Sequence, residues 1–496
     1  MSPLSPRLAL VLLSLAPLGA CALRAEPDAP APAAVATAPA PALTLEDCVA
    51  RALQKNFDLQ AETLNTDNAK EALTVEKADY VPVFTVVGTR SGSDSYRTGV
   101  ETDTSTVRSG VSQKIPTGAT VTLGTRLDRS SNNPLVTSPN PAYLGDLSVS
   151  IKQPLLKSAG TKANLAAIER AKLGVARAEL DYKSQVLVVI RDVEAAYYQL
   201  HFAREQLAAR QQSLSLAEQL HREAKIRNEV KVNTDLDVLS AEVGVANNRR
   251  SVLLAEQAVR NAEDVLLNLI GQFEFGAPVG AVTFADYTED APTVEGVYQR
   301  ALERQPGYLA AQKAVQQYDL DTATAKNARR PTLDLGAAYG WNTYEDRSHD
   351  AIHSLSSNRG NDWQVDLTLS MPWGLKAENA RYRTALNTLA QAKSRLRQQE
   401  QSILVQVRAA VLAVATGIES VKIAAQATEL SRRQYEMEKA RFDAGVSTAY
   451  RVLESQTDLE KARVSEVESR VNLRVAVADL QQIEGSSLAR FKVAVQ

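Results

Sequence analysis

The sequence predicts an α/β membrane protein with an internal duplication, each half running helix, β-rich segment, long helix, turn, long helix. Three observations carry that expectation. The first is repetition: LEDCVARALQKN from Leu45 returns as VEGVYQRALERQ from Val294, with Arg51-Ala52-Leu53 on Arg300-Ala301-Leu302 and Pro82 on Pro331 at one ungapped offset. Further on, Lys152-Gln153-Pro154 matches Ser370-Met371-Pro372, and Asp237-Val238-Leu239 matches Arg451-Val452-Leu453 at an offset that also places Gly271 on Gly485. Repetition of this kind argues for an elongated, pseudo-symmetric object rather than an enzyme built round one cleft. The second is alternation of apolar with polar residues in the β-rich segments, the signature of a sheet with one greasy and one wet face. The third is helical pattern without proline over roughly 65 residues, which spans roughly 100 Å and exceeds the depth of any compact domain.

Composition narrows the function classes. A 496-residue chain with net charge −2 and 23% charged residues presents no surplus of positive charge for a nucleic acid. Only 5% of residues are aromatic and alanine recurs along the helical stretches, which favours closely approaching long helices over a core of large side chains.

At the N-terminus, Arg7 precedes the apolar run Leu8 to Leu18, too short for a bilayer-crossing helix and long enough for a signal-peptide core. Residues 1–20 are therefore expected to be a signal peptide. Leu18-Gly19-Ala20-Cys21 resembles the lipobox of bacterial lipoproteins, which implies that Cys21 is acylated and becomes the mature N-terminus. Ala22, where an aspartate is absent, resembles lipoproteins sorted to the outer membrane. The competing reading is an ordinary signal peptide cut near Ala20 or Ala25. Residues 21–43 then form a lipidated tether, since Pro27, Pro30, Pro32, Pro39 and Pro41 block helix and leave extended chain. With Cys21 acylated, Cys48 has no disulfide partner, and its place in the stripe Leu45, Cys48, Val49, Ala52, Leu53 predicts a small buried hydrophobe.

Residues 44–290 read as the first structural repeat. Thr44 with Asp47 three residues later caps a helix that runs to about Asp79 and stops before Pro82. Four β-like segments follow, Val83 to Thr89, Val107 to Lys114, Ala119 to Leu127 and Leu147 to Lys152, punctuated by Pro116-Thr117-Gly118 and a Pro/Asn/Ser loop. In the last, Val149 and Ile151 alternate with Ser148, Ser150 and Lys152. A helix from about Thr161 to Asn228, a turn to Thr234 and a partner helix complete the half. Residues 291–485 repeat the order with only two β segments, Thr332 to Trp341 and Trp363 to Met371, where Val365, Leu367 and Leu369 alternate with polar neighbours. The long helix from about Ala377 to Phe442 turns at Asp443 to Thr448 into its partner, and residues 486–496 are a C-terminal tail. Helices this long must pack side by side to bury their stripes. The mature chain is expected to hold no apolar run of about 18 residues, which leaves barrel strands as its way across a membrane.

The opening LTLEDCVARALQKNFDLQ and its second copy, Gln153-Pro154-Leu155-Leu156, EAAYYQL from Glu194 and ARFDAGVSTAYRVLESQTDLEKAR from Ala440 together resemble the TolC-like outer-membrane efflux factor family, its lipoprotein branch. The resemblance runs from Thr44 to Gly485 and rests on order and spacing rather than on any one motif. It implies a homotrimer with one shared outer-membrane β-barrel continued by a long periplasmic α-helical barrel. It also implies a passive exit duct that docks to a periplasmic adaptor protein and an inner-membrane pump, with no enzymatic activity and no cofactor. Two strands per half would give the trimer twelve strands. The extra pair, Val107 to Lys114 and Ala119 to Leu127, would either project from the barrel or enlarge it, and projection is the expectation.

The resemblance also implies sites. The hairpin tips, with Lys231 and Asn233 in the first half and Gly445, Val446 and Ser447 in the second, resemble the adaptor-contacting surface. Gly445 supplies a positive φ and Ser447 or Thr448 a cap, whereas the first tip has Lys231 where Gly445 stands and is expected to place Asn228 or Asn233 in the left-handed region. At the mouth, Glu454 keeps one ring carboxylate and Arg451 stands at the other ring position. Asp237 resembles the acid of the gate link, whose usual cationic partner position is Ser447. Arg451 is therefore expected to bind Asp237 of an adjacent hairpin while Glu454 lines the ring; the alternative is a solvated charged face. No catalytic motif is present, and His349-Asp350-Ala351-Ile352-His353 reads either as a solvated outer loop or as a metal-binding pair. A structural or adhesive coiled-coil lipoprotein remains the alternative function, one that gives no reason for proline-bounded strands at matching places in both halves.

Overall fold

The computed structural model describes residues 43–133, 138–231, 234–271, 279–355 and 360–491. The expected signal segment, Cys21 and Asn233 lie outside them. In the first half α1 (Leu45–Lys55) and α2 (Phe57–Ala78) lead into β1 (Val83–Ser95), β2 (Val100–Lys114), β3 (Thr120–Asn133) and β4 (Ala142–Pro154), then α3 (Thr161–Asn164), α4 (Ala166–Glu229) and α5 (Asp235–Leu269). In the second, α6 (Val294–Arg304), α7 (Pro306–Ala328), β5 (Thr332–Glu345), α8 (Ser348–Ser354), β6 (Asn361–Ser370), α9 (Lys376–Asp443), α10 (Ala449–Glu484) and α11 (Ser487–Arg490) follow the same order.

Thr44 caps α1 as its sequence suggests, its hydroxyl accepting from the Asp47 amide at 3.2 Å. The single opening helix, however, is two. Asn56 leaves the helical region and its Oδ1 accepts from the amides of Asp58 and Leu59, at 2.9 and 3.3 Å, to start α2. The equivalent break in the second half is Gln305 before Pro306, where the ring of a following proline disfavours helix.

Among the described residues, six strands form one antiparallel sheet in the order β1-β2-β3-β4-β5-β6. Each pairs with its sequence neighbour, β4 meeting β5 to join the two halves. The expected projecting hairpin is thus overturned: β2 is paired with β1 from Val100 to Ser112 and with β3 from Glu101 to Lys114. Neither strand stands apart from the sheet, because each finds ladder partners on both sides.

The core is duplicated as well. α1, α4 and α5 bury one cluster that includes Cys48, Val189, Val193, Leu200 and Leu266. α6, α9 and α10 bury another that includes Val297, Ile403, Val407, Val414 and Leu480. Val189, Val193, Ala196 and Leu200 of α4 fall at one offset on Ile403, Val407, Ala410 and Val414 of α9, and all eight are buried. Burial pushes the Cys48 thiol up to about 12, so it is a packing group rather than a reactive one.

One glycine locks each half. Gly271 (φ +65) ends the first hairpin against the C-terminus of α1, where a Cβ would meet the Lys55 carbonyl oxygen at 2.7 Å. Gly485 (φ +76) does the same in the second half against Arg304, at 3.1 Å.

One expectation fails in the helices. Within α9 an 18-residue window reaches mean hydropathy 1.5, apolar enough for a bilayer by length and composition alone. Its apolar residues occupy more than one face: Val407, Val411 and Val414 are buried in the α6–α9–α10 cluster, whereas Val405 and Leu412 are exposed on the single chain. A helix flanked by neighbours on two sides requires such a distribution.

Candidate functional site at the hairpin tips and the sheet

Both long hairpins reverse at one end of the molecule, and the two reversals differ. In the second, α9 stops in a Schellman turn: Gly445 takes φ +77 and the Val446 amide donates to the Arg441 carbonyl at 3.0 Å. Neither Ser447 nor Thr448 caps α10 through its side chain. Thr448 occupies the cap position without a side-chain bond, and the Ser447 hydroxyl donates back to Glu438 of α9.

In the first tip the left-handed residue is Lys231 itself, at φ +61, its amide donating to the Asn228 carbonyl at 2.8 Å. Asn228 stays helical in α4, so the expectation that an asparagine would take this position does not hold for it. The strain of a non-glycine residue there is about 1–2 kcal/mol. A full capping box offsets it: Thr234 Oγ1 accepts from the Asp237 amide at 3.3 Å, and Asp237 Oδ2 accepts from the Thr234 amide at 2.9 Å and its hydroxyl at 2.7 Å. Those donors hold the Asp237 carboxyl below the usual carboxylate range.

The proposed mouth residues gather at this end. Asp237, Leu239 and Val243 of α5 line a groove of about 430 Å³ with Tyr450 and Leu453 of α10. Arg451 and Glu454 are exposed one turn apart on α10. Among the described residues, neither enters an ion pair within the chain. Asp237 thus faces the start of α10, while its carboxylate is held by Thr234.

At the other end, the sheet keeps its two characters. On β4 to β6, Val149, Tyr339 and Trp363 are cross-strand partners on one face, as are Ile151, Ala337 and Val365. On the opposite face Ser148, Gly340 and Asp362 align, and Lys152 pairs with Asp334 at 3.1 Å. α8 lies over the outer end of this sheet, its Ala351 carbonyl accepting from the Thr343 hydroxyl at 2.8 Å. His349 and His353 of that helix stack at 6.1 Å; among the described residues no group of three or more potential metal ligands gathers.

The spacing of EAAYYQL alone names no role for it. The structure makes it a clasp: Tyr197 Oη sits within hydrogen-bond distance of the Leu43 and Thr283 carbonyls, at 3.1 and 3.0 Å, and accepts from the Thr283 amide. Glu194, 1% exposed, accepts from Arg490 at 3.1 Å. A polar residue inside an apolar helical stripe was the available signal. Burial pushes the Glu194 carboxyl up to about 6, with Arg490 and Arg474 pulling partly back. Because its folded value lies above the ordinary 4.5, the unfolded chain ionises first as pH rises, and this residue's contribution to stability is lost between those two values. Glu194→Gln should therefore show a smaller fall in melting temperature than the parent between about pH 4 and about pH 7; equal falls would contradict the assignment.

Comparison with known proteins identifies the arrangement. The family model for outer membrane efflux proteins matches residues 119–272 and 297–486. The outer membrane protein TolC of Vibrio cholerae is 22% identical over 373 residues, 74% of this chain and 81% of that one. The pyoverdine export outer membrane protein OpmQ of Pseudomonas aeruginosa is 25% identical over 66% of this chain and 68% of its own length. Among solved structures, the transmembrane channel CusC superposes with TM-score 0.68 at 14% identity, covering 89% of this chain and 91% of that one. The outer membrane protein VceC of Vibrio cholerae gives 0.66 at 14%, covering 89% and 96%. The match of both halves to one family model, with the fold of its solved channels, shows that this chain belongs to the outer membrane efflux protein family, outer-membrane channels rather than enzymes.

Proposed function

We propose that three copies of this chain form one exit duct, open to the outside through a shared barrel and docked by its hairpin tips to a periplasmic adaptor and an inner-membrane pump. The observation that carries the reading is the pair of unlike tips at one end of helices too long for any compact domain, opposite a two-faced sheet at the other. Long helices exposing Val405, Leu412 and Leu430 on the single chain need lateral neighbours. The inner-membrane pump supplies the energy, since this chain carries no catalytic motif.

The tips Lys231, Asn233, Gly445, Val446 and Ser447 form the adaptor-contacting surface in this reading. Val446 is 66% exposed at the apex of its turn and suits an apolar contact. A photo-crosslinking side chain at Val446 should capture a periplasmic adaptor in intact cells, and one at Tyr339 on the sheet should not. Equal capture at both positions would overturn the docking assignment.

Arg451 and Asp237 of adjacent hairpins close the mouth, with Glu454 lining the ring. Exposed pairs contribute about 0–1 kcal/mol each, so three copies bias the closed state without locking it. Asp237→Ala or Arg451→Ala should raise single-channel conductance, the double variant adding less than the sum of the two. Asp237→Ala also removes the capping box, so Arg451→Ala is the cleaner arm. Unchanged conductance in Arg451→Ala would remove the gate.

Acylated Cys21 adds a membrane anchor to a duct already inserted through its sheet. Mass spectrometry of the mature protein should find a lipid on Cys21 and nothing before it; an unmodified N-terminus at Ala22 or Ala25 would end that reading.

A further inference from the structure

The additional strand pair β2–β3 has no counterpart among the described residues of the second half, and its register shows what it does. Reading across the sheet, Phe84, Val111, Leu123, Val149, Tyr339 and Trp363 are successive cross-strand partners, so one apolar row runs through all six strands without interruption. All six side chains are exposed on the single chain. The row one residue away, on the opposite face, is Thr85, Gly110, Gly124, Ser148, Gly340 and Asp362. Further residues on the apolar side, Val107, Val121 and Leu127, extend the same band over β2 and β3. A hairpin standing free in water would have no reason to continue the greasy face of its neighbours in register with them.

Length agrees. β2 and β3 are 15 and 14 residues long, as long as β4 with 13 and β5 with 14. A tilted strand needs about 9–11 residues to cross a bilayer core.

The periplasmic end of the hairpin is also built in. Neither β2 nor β3 continues into a helix, and their turn is tied to the base of the sheet instead. Gln113 Nε2 donates to the Tyr80 carbonyl at 3.3 Å, and the Gly160 amide donates to the Thr117 carbonyl at 3.0 Å. Gly118, at φ +94, sits so close to the chain after β4 that a Cβ would meet the Ser158 carbonyl oxygen and Asn164 Nδ2 at 2.6 Å each. That turn is seated where the other strands hand over to helices.

We infer that β2 and β3 are membrane-spanning staves whose apolar face meets outer-membrane acyl chains, so that three copies close an eighteen-stranded barrel rather than a twelve-stranded one. The edges β1 and β6 are left unpaired on the single chain, and in lipid their backbone groups find partners only on the β6 and β1 edges of further copies. Barrel diameter grows about linearly with strand number, which makes this exit about half again as wide, in the range that leaves an aqueous channel. The four long helices per copy are unchanged. The duct therefore widens where it passes from helices to strands, with the β2–β3 turns forming a ledge at the junction. The inference rests on the channel reading above.

The test places an environment-sensitive fluorophore on single cysteines introduced into the full-length protein carrying Cys21→Ser and Cys48→Ala, reconstituted in phosphatidylcholine vesicles with and without doxyl-labelled lipid. Val149→Cys on β4 and Val365→Cys on β6 report the barrel itself, and Val111→Cys and Leu123→Cys report the additional strands. Quenching of all four by doxyl lipid, with Ser112→Cys and Thr122→Cys unquenched, is the expected result. Quenching at Val149 and Val365 alone would overturn the inference and leave the channel standing. No quenching at any of the four would overturn both. An electron-microscopic cross-section of the reconstituted barrel should count eighteen strands; twelve would contradict the proposal.

Discussion

Val407→Asp is expected to leave no assembled channel in the outer membrane, and Val193→Asp to do the same from the other half. Each valine is fully buried, and each stands at the same place in its half, Val193 on α4 among Val189 and Leu200 and Val407 on α9 among Ile403 and Val414. Each valine packs among apolar side chains, so an aspartate there must be buried at a desolvation cost, break the helix contact, or take up a proton. Each route costs several kcal/mol, a large share of the roughly 5–15 kcal/mol that holds a typical domain together. Valine to alanine at the same positions removes about two methyl-sized groups and should cost only about 2 kcal/mol, leaving a folded but less heat-resistant protein. Heat-resistant oligomer in outer-membrane fractions is the readout. Normal amounts for either aspartate variant would show that the duplicated cores are not what holds the halves together.

The second large effect is steric. Gly271→Val and Gly485→Val each force a β-branched residue into the left-handed region, a cost of about 1–2 kcal/mol from backbone conformation alone. At Gly271 the new Cβ also runs into the Lys55 carbonyl, and at Gly485 into that of Arg304, both backbone atoms that cannot step aside without unseating α1 or α6. Gly445 is the internal control. It has nearly the same φ, +77, and nothing within 4 Å of its Cβ position, so Gly445→Val carries the conformational strain without the collision. Melting temperatures should therefore fall in the order Gly445→Val, Gly485→Val, Gly271→Val, the last falling furthest because its contact is the tightest. Equal losses at Gly445 and Gly271 would contradict the packing role.

The duplication, the long helices and the alternating strands were legible because they are written in period and spacing, which the sequence carries directly. The ends of α4, α5, α9 and α10 lie within a few residues of where proline, glycine and capping residues put them. What escaped depends on partners that spacing does not name. The alternation in Val107 to Lys114 is the same whether the hairpin projects or lies in a sheet, and only the register with Phe84 and Val149 decides. Lys231 takes a left-handed conformation that lysine disfavours because the capping box beyond it fixes where α5 must start. The break at Asn56 was hidden inside a pattern that keeps helical period on both sides. The α9 window reached transmembrane hydropathy because its apolar residues lie both on its buried face and on a face left exposed on the single chain. For the mouth, the sequence proposed Asp237, Arg451 and Glu454 as one device; the fold places all three at the tips, with Asp237 bound to Thr234 and facing the first turns of α10 across a shared groove.

Planar lipid bilayers separate a conduit through the outer membrane from a protein that merely coats it. Purified full-length protein added to one side should insert and give discrete, uniform conductance steps, with Arg451→Ala giving larger ones. Protein that associates with the bilayer, as an acylated coiled coil would, yet never conducts in either form would contradict the account.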